Sequence, residues 1–173
     1  MLFNVLRIAL VSVLLTLAVA TVLVFTQDTK EMEGTGGLDF TKTLEGGAAT
    51  PAPLQTVRMR DGYPLQVRTY GGADDVPLLV LLHGSGWHGQ QFDALGKALQ
   101  GHADVIVPDL RGHGTAPGRR GDVDYVGQLE DDLADLITAV AKPGQKVIMG
   151  GHSSGGGLVV RFAGGPHGDM LDA

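Results

Sequence analysis

The sequence predicts an α/β fold, a mostly parallel sheet with helices on both faces, preceded by an N-terminal transmembrane helix. Three observations predict it. The chain opens on one long apolar run, short apolar runs then alternate with amphipathic helical patterns, and glycine-rich turns close three of those runs.

From Leu2 to Phe25 the chain is almost continuously apolar, broken by Asn4, Arg7, Ser12, Thr16 and Thr21, with no charge between Arg7 and Asp28. About 20 such residues, rising 1.5 Å each, suffice to cross a hydrocarbon core. Ala18-Val19-Ala20 also offers the small residues of a signal-peptidase site, so a cleaved signal is the alternative. The run is long for a signal peptide, and cleavage there would leave Val22 to Phe25 exposed, which favours an uncleaved anchor. Arg7 precedes the segment and Asp28, Lys30, Glu31 and Glu33 follow it, so the positive-inside rule puts the N-terminus in the cytoplasm and the rest outside. Residues 1–26 are therefore expected to be the anchor or signal and 27–53, rich in Gly, Thr, Ala and charge without a period, a flexible tether. Residues 54–173 carry the folded domain.

In that domain, Thr56 to Arg60 and Leu65 to Tyr70 alternate in polarity around the turn dipeptide Asp61-Gly62, as an antiparallel hairpin does. Pro77 to Leu82 is apolar on both faces, the mark of a buried central strand. Phe92, Leu95, Ala98 and Leu99 recur at helical spacing before a second short strand, Asp104 to Pro108. Leu129, Leu133, Leu136, Ile137 and Val140 form a helical stripe, with Glu130, Asp131, Asp132 and Asp135 expected opposite it and Pro143-Gly144 ending the helix. Lys146 to Met149 is a third strand, and Leu158, Val159, Val160 and Phe162 mark the helix after it. Strands alternating with helices imply right-handed crossovers, and such a sheet binds ligands at the carboxyl ends of its strands. The glycine-rich turns lie there.

Composition narrows the chemistry. A net charge of −6 with no basic stripe would repel phosphate backbones, so nucleic acid is not an expected partner. The absence of cysteine removes disulfides, thiolate metal sites and a thiol nucleophile. His83 and His88 flank a glycine-rich loop without carboxylate companions, so no metal site is expected. Neither metal nor organic cofactor is called for, and oligomeric state is not legible.

The run Gly151-His152-Ser153-Ser154-Gly155 has the Gly-x-Ser-x-Gly spacing of a nucleophile elbow. A serine hydroxyl must be exposed and aimed to attack a carbonyl, and a reversal that sharp between strand and helix admits only small residues two positions either side. Those are Gly151 and Gly155, so the spacing selects Ser153 over Ser154. Ser154 is expected to donate its N–H to the oxyanion hole, and the other donor to come from the turn His83-Gly84-Ser85-Gly86-Trp87-His88-Gly89. The competing reading makes Ser153 an ordinary helix N-cap, which leaves the flanking glycines unexplained.

The order of three motifs resembles the N-terminal half of the α/β-hydrolase superfamily, nearest to its monoacylglycerol lipase, lysophospholipase and serine aminopeptidase-like group. The motifs are His83-Gly84, then Pro108-Asp109-Leu110-Arg111-Gly112-His113-Gly114, then Gly151-His152-Ser153-Ser154-Gly155-Gly156, within residues 56 to 170. The resemblance implies that Ser85 gives the second oxyanion N–H, with Gly86 as fallback, and that His83 supports its loop rather than acting as base. It implies loop-shaping roles for Asp109, Arg111 and His113, and a His152 side chain turned away from the pocket. It implies hydrolysis of a small-molecule ester or lipid through an acyl-enzyme, with a peptidase or a non-catalytic membrane-tethered binding protein as the alternatives. In this fold an acid and then a histidine follow the nucleophile after later strands. His167, Asp169 and Asp172 follow Ser153 too closely, so the chain is expected to stop before its triad partners and to be inactive or weak alone.

Overall fold

The computed structural model describes residues 2–27, 51–71, 74–115 and 117–173. Residues 28–50 of the expected tether lie outside them. The chain divides into two compact units, Met1–Asp39 and Phe40–Ala173, and each is described by itself.

In the first unit, helix α1 (Leu2–Thr26) is exposed from Phe3 to Thr26. From Phe3 to Thr26 it is long and apolar enough to cross a membrane, with a mean hydropathy of 2.8. A signal sequence passes the same test. Its three threonine hydroxyls are satisfied within the helix: those of Thr16, Thr21 and Thr26 donate to the carbonyls of Ser12, Leu17 and Val22, one turn back, at 2.7–2.9 Å.

The second unit is built on a five-stranded sheet in the order β1-β2-β4-β3-β5. Strands β1 (Leu54–Arg58) and β2 (Pro64–Tyr70) form the hairpin foreseen around Asp61-Gly62, and Gly62 takes the left-handed φ of +84° that its turn requires. Strands β3 (Leu78–Leu82), β4 (Asp104–Asp109) and β5 (Val147–Gly151) run parallel, and the hairpin joins them through an antiparallel β2–β4 pairing. The sheet is thus mixed, with β3 at the centre of its parallel part. Alternation along β3 serves both faces. Leu78, Val80 and Leu82 pack with Leu133, Leu136, Leu158 and Phe162, whereas Leu79 and Leu81 belong to the opposite cluster of Tyr70, Val105, Val107, Phe92 and Leu99. The first cluster holds helices α3 (Gln128–Val140) and α4 (Ser154–Ala163); the second is flanked by a 3₁₀ turn, Gly89–Phe92, and the short helix α2 (Asp93–Ala98).

Two helical details differ from expectation. Leu95, counted in the apolar spacing of α2, is 43 % exposed. Glu130 and Asp132, placed opposite the apolar stripe of α3, are buried. Asp132 stands three residues after Leu129 and four before Leu136, on the inward face, where Arg111 neutralises it. Helix α3 ends on an extended Ala141, and Gly144 at φ +74° turns the chain back toward β5, as Pro143-Gly144 foretold.

The last residues lie along the outer edge of β5. Asp172 N donates to Val147 O at 2.8 Å and Met149 N to Ala173 O at 3.0 Å, while the Asp172 carboxylate takes the Val147 N–H at 2.9 Å. This edge pairing uses Asp172 at the amino end of β5, opposite to Ser153.

Candidate active site

β5 ends at Gly151 and α4 begins at Ser154, so two residues reverse the chain. Ser153 takes φ +54° and ψ −121°, a strained conformation for a residue with a Cβ, costing on the order of 1–3 kcal/mol. Its surroundings hold it there. His152 N donates to Leu82 O at 2.9 Å, Gly155 N to His152 O at 2.9 Å and Gly157 N to Ser153 O at 3.2 Å. A Cβ on Gly151 would lie 2.5 Å from Gly155 C, and one on Gly155 would lie 2.6 Å from His83 O with Leu82 O closer still. Both glycines therefore answer to close backbone approach, the physical content of the spacing. Ser153 occupies the N-cap position of α4, yet its hydroxyl makes no capping bond, and the residue is exposed. The ordinary N-cap explanation thus fails on its defining contact.

Gly157 differs from its neighbours in α4. A Cβ there would meet nothing within 4 Å, and its φ is not left-handed. Gly157→Ala is accordingly expected to raise unfolding free energy by about 0.5–1 kcal/mol, read as a higher urea midpoint. An unchanged or lower midpoint would show that this helix turn needs its glycine.

Directly beside the elbow runs the turn after β3. Trp87 N donates to Gly84 O at 3.3 Å and Gly86 has φ +75°, which makes Ser85 and Gly86 the corners of a type II turn. Gly84 packs on the elbow: its Cβ would lie 3.4 Å from Ser153 Cβ and 3.2 Å from His152 Nδ1. The structure brings Ser85 and Ser154 together, the Ser85 hydroxyl donating to Ser154 Oγ at 2.9 Å. Ser154 opens α4, so its N–H has no carbonyl one turn back.

His83 is fully buried, at 0 % exposure. Its Nε2 accepts the Leu110 N–H at 3.0 Å and its Nδ1 lies 2.8 Å from Gly84 O, a pattern met by the neutral ring protonated at Nδ1. Both ring nitrogens are thereby spent on joining the turn after β3 to the turn after β4. Burial lowers the His83 pKa to about 4, outweighing the bond to Gly84.

The turn after β4 is fastened by charge. Asp109 pairs with the buried Arg68 at 2.8 Å and accepts the Gly89 N–H at 2.6 Å. Arg111 grips Asp132 through two bonds of 2.6 and 2.7 Å, reaches Asp61 at 2.8 Å and covers the Tyr63 ring at 4.0 Å. One guanidinium thus ties the β4 turn, α3 and the hairpin turn together, and its bond to Asp132 raises its pKa against burial. His113 lies 3.0 Å from Arg111 O through Nδ1 and meets the His83 ring edge-on at 5.2 Å. Sequence reading missed Arg68, Asp61 and Asp132 as partners. Polar alternation in β2 and the acidic face expected of α3 would turn Arg68 and Asp132 toward solvent, and it is their partners Asp109 and Arg111 that let both be buried.

Other polar residues lie away from the elbow or are otherwise engaged. His167 Nε2 is 2.8 Å from Asp131, which also accepts from Tyr125 OH at 2.7 Å, and the ring stacks on Phe162 at 5.8 Å. These residues line a groove of about 600 Å³ with Glu130, Val160 and Arg161, and Ser153 is not among its walls. Asp169 is exposed in a 3₁₀ turn, and Trp87 is half-buried. Among the described residues no histidine ring is hydrogen-bonded to Ser153.

A family model described as serine aminopeptidase, S33, matches residues 74–171, from just before β3 to the edge segment beside β5. The chain belongs to this α/β-hydrolase family. The match contains all three turns just described. An uncharacterized protein of Mycobacterium tuberculosis is 32% identical over 111 residues, covering 64% of this chain and 31% of that protein. An esterase from Thermogutta terrifontis superposes with a TM-score of 0.56 at 27% identity, over 69% of this chain and 43% of its own. A membrane phospholipase A, described as a bacterial virulence factor, superposes at the same TM-score of 0.56 with 25% identity, over 95% of this chain and 49% of its own. The chain spans about a third of the length of the curated relatives it matches.

Proposed function

We propose that the protein is a serine hydrolase that cleaves lipid-like carboxylic esters through an acyl-enzyme on Ser153. The observation that carries this reading is the strained backbone of Ser153, held by glycines on both sides in a hydrolase-family chain. Ser153 Oγ attacks the ester carbonyl while a histidine base takes its proton. The N–H groups of Ser154 and Ser85 hold the oxyanion as the tetrahedral intermediate forms. The protonated base then gives its proton to the leaving alcohol, and water releases the acid by the same steps in reverse. His83, with both ring nitrogens engaged, supports the oxyanion loop and is not that base.

The lipid-like substrate rests on two supports. One is the apolar helix α1, which as an anchor with a cytoplasmic N-terminus would hold the hydrolase unit against the outer side of a membrane; cleaved, it would release a secreted enzyme. The other is the likeness to an esterase and a membrane phospholipase. A peptidase is the second reading, favoured by the description of the family model.

A fluorophosphonate probe applied to the natively expressed protein tests the nucleophile. Labelling is expected in the wild type and in Ser154→Ala, and none in Ser153→Ala; a wild type that does not label would overturn the serine mechanism and leave a binding role. Faster turnover of aminoacyl anilides than of p-nitrophenyl esters would replace the esterase reading by the peptidase one.

A further inference from the structure

The two amides assigned to the oxyanion come from different elements, 69 residues apart in sequence, and their usefulness depends on a fixed spacing. The base of the β3 turn is well held: Gly84 rests on the elbow and its N–H donates to Gln91 Oε1 at 3.2 Å. The tip has less support. Ser85 and Gly86 are exposed, and the space around Gly86 is open to 4 Å. What reaches from this tip to the first residue of α4 is the 2.9 Å bond between the Ser85 and Ser154 hydroxyls.

We propose that Ser85 and Ser154 are a positioning pair, whose side-chain hydroxyls tie the tip of the β3 turn to the start of α4 and so set the distance between the two oxyanion N–H groups. This rests on Ser153 being the nucleophile. Each hydroxyl carries one proton and two lone pairs, so the link consumes one of the two protons and either residue can donate. Removing either hydroxyl removes the whole link. The two side chains therefore act as a unit, whereas two side chains with separate tasks would lose their effects independently.

The test is a kinetic cycle on the natively expressed protein with p-nitrophenyl butyrate, comparing Ser85→Ala, Ser154→Ala, the double variant and Ser154→Thr. Each alanine variant is expected to lower kcat about tenfold, short of the loss of an oxyanion donor, with KM within about twofold. The double variant should fall no further than the weaker single, and Ser154→Thr, which keeps the hydroxyl, should recover most of kcat. Losses that multiply in the double variant, a change confined to KM, or singles within twofold of wild type would overturn the pairing. Amide hydrogen exchange of residues 84–87 supplies a readout independent of turnover. Faster exchange in Ser154→Ala is expected, and unchanged exchange also overturns the pairing. Should the wild type neither turn over nor label, the nucleophile reading falls, and this exchange result alone decides whether the hydroxyl link holds the turn.

Discussion

Replacing Gly155 by alanine is expected to destabilise the hydrolase unit by about 3 kcal/mol or more and to abolish probe labelling at Ser153. The new methyl would meet His83 O at 2.6 Å and Leu82 O closer, both backbone atoms at the end of the central strand. No flexible side chain can yield there. Relief requires α4 to move off β3, which carries Ser153 and Ser154 away from the Ser85 turn. Gly157→Ala is the internal control, because it adds the same methyl two residues later on the same helix, into open space. Urea denaturation of the two variants should therefore give midpoint shifts of opposite sign. Equal shifts would mean that helix propensity, not close approach, governs this turn.

Lowering the pH from about 6.5 to about 4 is expected to remove about 3 kcal/mol of stability through His83 alone. Burial depresses its folded pKa to about 4, below the unfolded value of 6.5, so in this window the unfolded chain binds the proton and the folded chain does not. The stabilisation is complete above pH 6.5 and declines as pH falls through that interval. The structural cost is specific: a proton on Nε2 would confront the Leu110 N–H that this nitrogen now accepts. His88, also lowered by burial, adds in the same direction. Asp93, Asp131 and Asp135, whose pKa values are lowered from 3.8, contribute at more acidic pH. Urea midpoints measured at pH 7 and pH 4.5 should fall less for His83→Gln than for wild type. Identical slopes would assign the acid sensitivity to other groups.

The extent to which fold and site were legible follows from the range of the interactions involved. Strand and helix identities are written in local periods, so Leu78 to Leu82 and the stripe from Leu129 to Val140 could be placed by polarity alone. Their surroundings could not. Asp132 has the formula of a solvent-facing acid, and it is buried because Arg111, 21 residues earlier, is brought against it. Asp172, which follows Ser153 too closely to be its acid, is spent on the amino end of β5. His167 likewise faces Asp131 and Phe162.

By itself the sequence determined the α/β pattern, the apolar N-terminal helix, the hairpin and the elbow spacing around Ser153, since each is a property of neighbouring residues. Only the tertiary structure decided why that spacing is needed. Gly151 must be small because α4 folds back over it, Gly155 because the end of β3 lies against it, and Ser153 is strained because both approaches are satisfied at once. The meeting of Ser85 with Ser154 was equally beyond local pattern, because nothing in either short stretch records which carbonyl, ring or hydroxyl the sheet will bring beside it.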